Sequence, residues 1–243
     1  MKTDILGVQF DNLTLADAVE RGMRLVSEHR AAYVVTPNPE IVMAAAKDEG
    51  LMRALNAADL VLPDGIGVVY SAKILGTPLT ERVPGIDFAS GLLARLAEKG
   101  GSAYLFGAKP GVAEAAAEKI AARYAGIAVA GTQDGYFDDD ADIVADINAK
   151  KPDFLFVCLG SPKQEKWMQA HAGKLDVGVM AGLGGCLDVF AGNVDRAPEK
   201  MRKLGLEWLY RLYREPARIG RVARLPGILV KAAGQRGKGA NHG

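Results

Sequence analysis

Short apolar runs in this chain repeatedly stop at a small polar residue or a glycine, and a helix-period pattern then begins. The runs are 33–36, 60–63, 103–107, 127–131, 154–159 and 177–180. Each is too short for a helix, and each is continuous rather than alternating, as a strand buried on both faces requires. Between them lie segments with apolar residues at spacings of three and four. In the first, Leu15, Ala18, Val19, Gly22, Met23 and Val26 share one face, behind a Thr14–Asp17 capping box. Alternation of this kind predicts an α/β fold: a mostly parallel, Rossmann-like sheet with helices on both faces. In such sheets ligands bind outside the carboxyl ends of the strands, so the residues that end each run are the candidate functional residues.

The run 60–63 ends at Asp64, with Gly65 and Gly67 opening the next helix. The run 33–36 ends at Thr36, followed by Pro37, Asn38 and Pro39. Asn38 reads as an N-cap, with proline in the first helical position. Thr36, Asn38 and Asp64 would therefore line one rim, although each residue type is also common in turns and caps. Gly107-Ala108-Lys109-Pro110-Gly111 offers backbone N–H groups and one lysine at a helix start, which suits a diphosphate. It lacks the Gly-Lys-Ser/Thr ending of a P-loop. Gly160-Ser161-Pro162-Lys163-Gln164-Glu165 repeats the scheme one strand later, with Lys163 and Gln164 as donors.

Two further motifs invite other functions. Gly182-Leu183-Gly184-Gly185 follows a strand, but the third position of a dinucleotide fingerprint falls on Leu187 and no acidic ribose partner follows. An NAD-dependent oxidoreductase is thus the alternative from pattern alone. Asp138-Asp139-Asp140 has the D-x-D spacing of metal-dependent sugar-nucleotide enzymes, yet it directly precedes a helical pattern, where acids favour the helix dipole. The reading adopted is capping, with no metal. His29, His171 and His242 form no constellation.

Charge divides the chain. Of 30 Lys/Arg and 29 Asp/Glu, residues 196–243 hold twelve basic and three acidic side chains, a balance of +9; residues 1–195 keep 18 and 26, a balance of −8. Residues 1–195 read as the α/β core and 196–243 as a basic helical appendage whose partner is anionic. Within it Arg211, Arg214, Arg218 and Arg221 recur at spacings of three and four beside Trp208, Leu209, Leu212 and Tyr213. Aromatics flanking a basic stripe suit a lipid headgroup surface. Nucleic acid would also suit the stripe, but no nucleic-acid motif is present and the acidic core argues against that partner. Cys158 and Cys186 sit in apolar segments without metal-ligand spacing, as free thiols in a reducing compartment do. With no apolar leader and no run of 18 apolar residues, the expected location is cytoplasmic.

Taken together, these stretches resemble the WecG/TagA/CpsF glycosyltransferase family. The matching pieces are Thr36 to Glu40, Pro63-Asp64-Gly65, Arg82 to Asp87, Leu105-Phe106-Gly107, Gly160 to Glu165, Gly182 to Asp188, Arg196-Ala197-Pro198, and Glu207-Trp208 through Arg224. The resemblance implies an inverting enzyme that moves an N-acetylmannosamine-type sugar from UDP to a polyprenyl-diphosphate-linked GlcNAc in bacterial surface-polysaccharide synthesis. It implies Asp64 as general base, Thr36 and Asn38 close to the reacting sugar, and Arg82 and Gln164 around donor or acceptor. It also implies a metal-independent mechanism, and a C-terminal segment that engages the inner face of the cell membrane and supplies arginines to the diphosphate. Homo-oligomerisation is left open by the sequence.

Overall fold

Side chains along a strand point alternately to opposite faces, and the buried residues of the central strands divide in that way. Val34, Leu105, Phe156 and Ala181 belong to one core cluster, while Tyr33, Val35, Phe106, Val157 and Met180 belong to the other. Each face therefore needs its own layer of helices. The computed structural model describes residues 2–203, 205–214 and 225–240.

The elements in chain order are β1 (Lys2–Ile5), β2 (Val8–Asp11), α1 (Leu15–Glu28), β3 (Ala32–Val35), α2 (Pro39–Ala45), α3 (Glu49–Asn56), β4 (Leu60–Val61), α4 (Ile66–Leu75) and α5 (Gly85–Ala97). They continue with β5 (Ser102–Gly107), α6 (Val112–Arg123), β6 (Ala128–Gln133), α7 (Ala141–Lys150), β7 (Phe154–Cys158), α8 (Lys163–His171), β8 (Val179–Gly182) and α9 (Cys186–Phe190). Three helices follow: α10 (Glu199–Lys203), α11 (Glu207–Arg214) and α12 (Leu225–Ala240).

β3 to β8 form one six-stranded sheet in the order β4-β3-β8-β7-β5-β6, and every pairing is parallel. Three strand–helix–strand units of sequential neighbours build it: β3 with β4, β5 with β6, and β7 with β8. The last unit is inserted between the other two. The order differs from that of a standard dinucleotide-binding sheet. Helices α1, α5, α6 and α9 cover one face. Helices α2, α3, α4, α7, α8 and α12 cover the other, together with Ile5, Val8 and Phe10 of the β1–β2 hairpin.

That arrangement sends the chain from adjacent strands toward opposite faces at four points, and two of them border the site. β3 is followed by α2 on one face, and its neighbour β8 by α9 on the other. β5 is followed by α6 and its neighbour β7 by α8, again on opposite faces. Crevices at the carboxyl ends of the strands form at points of this kind.

The Thr14–Asp17 capping box, the Asn38 cap with Pro39 behind it, and all six anticipated strands are present within a few residues of their expected bounds. The sequence pattern did not reveal the hairpin β1–β2, whose turn residues Leu6 and Gly7 both have positive φ, 53° and 89°. After residue 195 the chain returns to the core. Ile228 and Ala232 of α12 are fully buried, and α12 packs chiefly on α4. No helix among the described residues is long and apolar enough to cross a membrane.

Candidate active site

The first crevice lies between the ends of β3, β4 and β8, and five sequence-predicted residues line it: Thr36, Asn38, Asp64, Arg82 and Gln164. Its volume is about 280 Å³, near the lower bound for small-molecule sites. Four segments distant in sequence supply those side chains, and backbone geometry brings them together.

After β4 the chain stays extended, with the amide of Leu62 donating to Val35 O at 2.9 Å and that of Asp64 to Pro37 O at 3.3 Å. Gly65 then turns the chain at φ 111°, a conformation open to glycine, and a Cβ there would lie 3.0 Å from Cδ of Pro39. The loops after β3 and β4 therefore touch. Half-buried Asp64 accepts a hydrogen bond from the amide of Gly85 through Oδ2 at 3.3 Å. A Cβ on Gly85 would come within 3.0 Å of the Thr36 hydroxyl, so Gly85 is the residue on which Thr36 and Asp64 converge. Thr36 itself donates to the carbonyl of Gly182 at 2.9 Å and ties β3 to β8. Asn38 caps α2, with Oδ1 accepting from the Ile41 amide at 3.0 Å; its Nδ2 is free of that duty.

Arg82 is paired with Glu207 at 3.3 Å, and both side chains are largely buried. Glu207, Trp208 and Leu212 of α11 line the same crevice, so the C-terminal segment forms one of its walls. A second ion pair holds that segment: Arg196 meets Asp87, in the first turn of α5, at 2.6 and 3.1 Å. The sequence reading quoted the motifs around Glu207 and Asp87 but gave neither residue a part. Their value lies in pairs that span 125 and 109 positions, which no local pattern displays.

The second crevice opens between β5, β6 and β7, where Lys109 and Lys163 are joined by Tyr136, Phe137 and Asp138. Gly107, at φ 123°, makes room for this approach, since a Cβ would fall 2.3 Å from the Cys158 carbonyl oxygen. Gly160, at φ 76°, leads into α8, and its carbonyl accepts the Gln164 amide at 2.9 Å. Neither glycine lines the crevice itself; both shape the loops that do. The Lys163 ammonium sits 3.8 Å above the Phe137 ring and donates to Gly135 O at 3.3 Å. Burial pushes the Cys158 thiol at the crevice floor up to about 12, leaving it a neutral packing group.

The start of α8 separates the two crevices. Successive helical residues are rotated by about 100°, and Lys163 faces the second crevice while Gln164 faces the first. The acidic triplet is divided among three tasks, with Asp138 lining the second crevice and Asp140, the N-cap residue of α7, giving its helix no side-chain cap bond. Asp139 accepts from the Ala141 amide at 3.0 Å and Asp140 from the Trp167 indole at 2.6 Å. Among the described residues no group of three His, Cys, Asp or Glu side chains could hold a metal ion. The side chains of Arg211 and Arg214, and the whole of Arg218 and Arg221, lie outside the described residues.

A doubly wound α/β sheet with two crevices side by side at the carboxyl ends of its strands belongs to the class of α/β proteins that bind their ligands at that rim. Residues 3–242 match the model of the glycosyl transferase WecG/TagA/CpsF family, and the chain belongs to that family. It is 39% identical over 235 residues to N-acetylglucosaminyldiphosphoundecaprenol N-acetyl-beta-D-mannosaminyltransferase of Staphylococcus aureus strain MW2, covering 96% of this chain and 92% of that protein. The proteins of the same name from strains COL and MRSA252 match to the same extent. The oxidoreductase alternative is thereby set aside. In the Gly182–Gly185 loop the amide of Gly184 is engaged by the Gln164 side chain at 3.1 Å, and the helix that follows, α9, has five residues.

Proposed function

We propose that this glycosyltransferase moves an N-acetylmannosamine-type sugar from a UDP donor to a polyprenyl-diphosphate-linked GlcNAc, with inversion at the anomeric carbon. The observation that carries the reading is the convergence of Thr36, Asn38, Asp64, Arg82 and Gln164 on one crevice, in a chain 39% identical to enzymes named for that transfer. In this reading Asp64 takes the proton from the acceptor hydroxyl as its oxygen attacks the anomeric carbon. The bond from that carbon to the β-phosphate oxygen breaks on the opposite side, and UDP departs with the electron pair. A carboxylate within hydrogen-bond reach suffices for the first task.

The nucleotide end of the donor belongs in the second crevice, where two lysines meet the Tyr136 and Phe137 rings. The diphosphate then crosses the start of α8, an end of a helix that favours anions. Charge growing on the leaving UDP needs preorganised cations. Lys109 and Lys163 supply some, and we assign the same task to Arg211, Arg214, Arg218 and Arg221 of the C-terminal segment. We read the reaction as metal-independent, because Asp140, one end of the Asp-x-Asp pair, is already engaged by the Trp167 indole of α8. The enzyme works at a membrane surface, where its acceptor is anchored.

The test is UDP release from a panel of UDP-sugars in the presence of a short-chain lipid-diphosphate-GlcNAc analogue, with and without EDTA. UDP-N-acetylmannosamine should be consumed, and EDTA should leave the rate unchanged. Loss of turnover in EDTA with recovery in Mg²⁺ would reject the metal-independent route, and inactivity with every UDP-sugar would reject the transfer itself.

A further inference from the structure

Glu165 is a carboxylic acid in an unexpected place. It sits in the first turn of α8, where an acid usually faces water, yet it is 1% exposed. Burial raises its pKa, and the Gln164 amide, its own backbone and Ser161 offset this only in part. One of its oxygens, Oε2, is buried with no partner at hydrogen-bond geometry. Burying an acid costs a fold stability, so the contacts of its other oxygen matter.

Oε1 of Glu165 accepts from Nε2 of Gln164 at 2.9 Å, and Oε1 of Gln164 accepts from the amide of Gly184 at 3.1 Å. A backbone N–H can only donate, so it selects the oxygen end of the Gln164 amide; the carboxyl oxygen facing the other end selects the nitrogen. The two contacts act in the same sense and fix which end of the amide points where. Gly182 completes the seat, since a Cβ there would stand 2.7 Å from Cε of Met168 and 3.1 Å from Nε2 of Gln164. The Gly182 carbonyl is also the acceptor for Thr36, so the seat and the floor of the first crevice are one piece of backbone. Nε2 of Gln164 keeps one N–H beyond the contact with Glu165.

From this geometry we infer that Glu165 is a positioning residue, which holds the Gln164 amide in a single orientation so that the crevice meets a fixed N–H donor. The inference rests on the transferase reading above. Preorganised donors are effective because they need no reorientation as the reaction proceeds.

The experiment compares full-length wild type, Glu165→Gln, Glu165→Ala, Gln164→Ala and the double alanine variant, by steady-state turnover and thermal melting. Glu165→Gln keeps an acceptor oxygen for Nε2 and should keep most of the turnover. Glu165→Ala should lower kcat/KM by roughly 10- to 100-fold, the range expected for loss of a hydrogen bond to a charged or strongly polar partner. In the Gln164→Ala background the same change should have almost no further effect, because partners in one contact are not additive. Equal losses in Glu165→Gln and Glu165→Ala, or losses that multiply in the double variant, would overturn the inference.

Should Glu165→Ala fail to fold, the side-chain amide of Gln164 is read directly in ¹⁵N-labelled wild type, its signals assigned by their disappearance in Gln164→Ala. Slow exchange with solvent supports the clamp, and exchange as fast as that of an exposed glutamine rejects it. If wild type releases no UDP from any donor, the transferase reading has failed. If wild type is active and the variants disobey the pattern, only the role of Glu165 has.

Discussion

Asp64 and Asn38 show how one side chain can serve a turn and a crevice together. Asn38 uses Oδ1 to cap α2 and leaves Nδ2 for the crevice. Asp64 receives the Gly85 amide on Oδ2 while staying half-buried at the rim. Asp64→Asn preserves shape and removes the base, so turnover should fall by about two to four decades, the usual worth of a positioned base. Binding of UDP, measured by calorimetry, should be retained. Near-normal turnover would remove Asp64 from that part. Residues of this kind were legible because they terminate apolar runs, where position alone gives them meaning. Glu165 was not. In Lys163-Gln164-Glu165-Lys166 it looks like any exposed acid in a first helical turn, and only the packing of α8 on β7 and β8 reveals its burial.

At the scale of elements, the run-and-helix rhythm foretold the parallel sheet, because strands buried on both faces leave a continuous apolar signature. Strand order left no such trace. Nothing in residues 154–182 announces that β7 and β8 insert between β3 and β5, yet that insertion creates both crevices and sets the start of α8 between them. The β1–β2 hairpin escaped for another reason: its strands have four residues each, and Leu6-Gly7 is not the Asn-Gly signal of a tight hairpin turn. The link between the loop before α5 and the start of α11 was equally hidden. Glu207 lies against Arg82 and within reach of the charge of Arg196, which in turn grips Asp87. Charges of alternating sign thus join the crevice to its C-terminal wall. Truncating one member strands a partly desolvated partner, whereas removing both does not. Arg82→Met and Glu207→Leu should each destabilise the protein by about 1–3 kcal/mol in chemical denaturation, and the double variant by clearly less than their sum. Strict additivity would mean that the pair contributes nothing to holding the wall.

Across the whole molecule, a balance of −8 before residue 196 and +9 after it would be an electrostatic liability if the two parts did not meet. They meet in two ways. The Arg196–Asp87 and Glu207–Arg82 pairs tie the segment after Asp195 to the core, and Glu207, Trp208 and Leu212 wall the first crevice. α12 then packs on α4, and Gln235 clasps the hairpin turn, accepting from the Leu6 amide at 3.1 Å and donating to Asp4 at 2.9 Å. We therefore expect a chain ending at Asp195 to retain the sheet, since all six strands precede that point, but to melt earlier because the face of α4 under Ile228 is uncovered. We propose the basic stripe, Arg211, Arg214, Arg218 and Arg221, as the part that meets a membrane. Near an anionic leaflet each basic residue contributes about 1 kcal/mol, and the effect fades within a Debye length. Full-length protein should sediment with phosphatidylglycerol-containing vesicles at low salt and be released at high salt. Arg214→Glu with Arg221→Glu, made in the full-length chain so that α12 stays in place, should weaken vesicle binding by at least about tenfold, because two favourable charges of about 1 kcal/mol each are lost and two repulsive ones gained. If the same arginines also neutralise the departing diphosphate, that double variant must lose turnover on a water-soluble acceptor analogue, where no membrane is present. Full activity on the soluble analogue with weakened vesicle binding would leave the stripe as an anchor alone. Unchanged vesicle binding would show that the membrane contact is made elsewhere, with the exposed Leu209 and Tyr213 of α11 the next residues to replace.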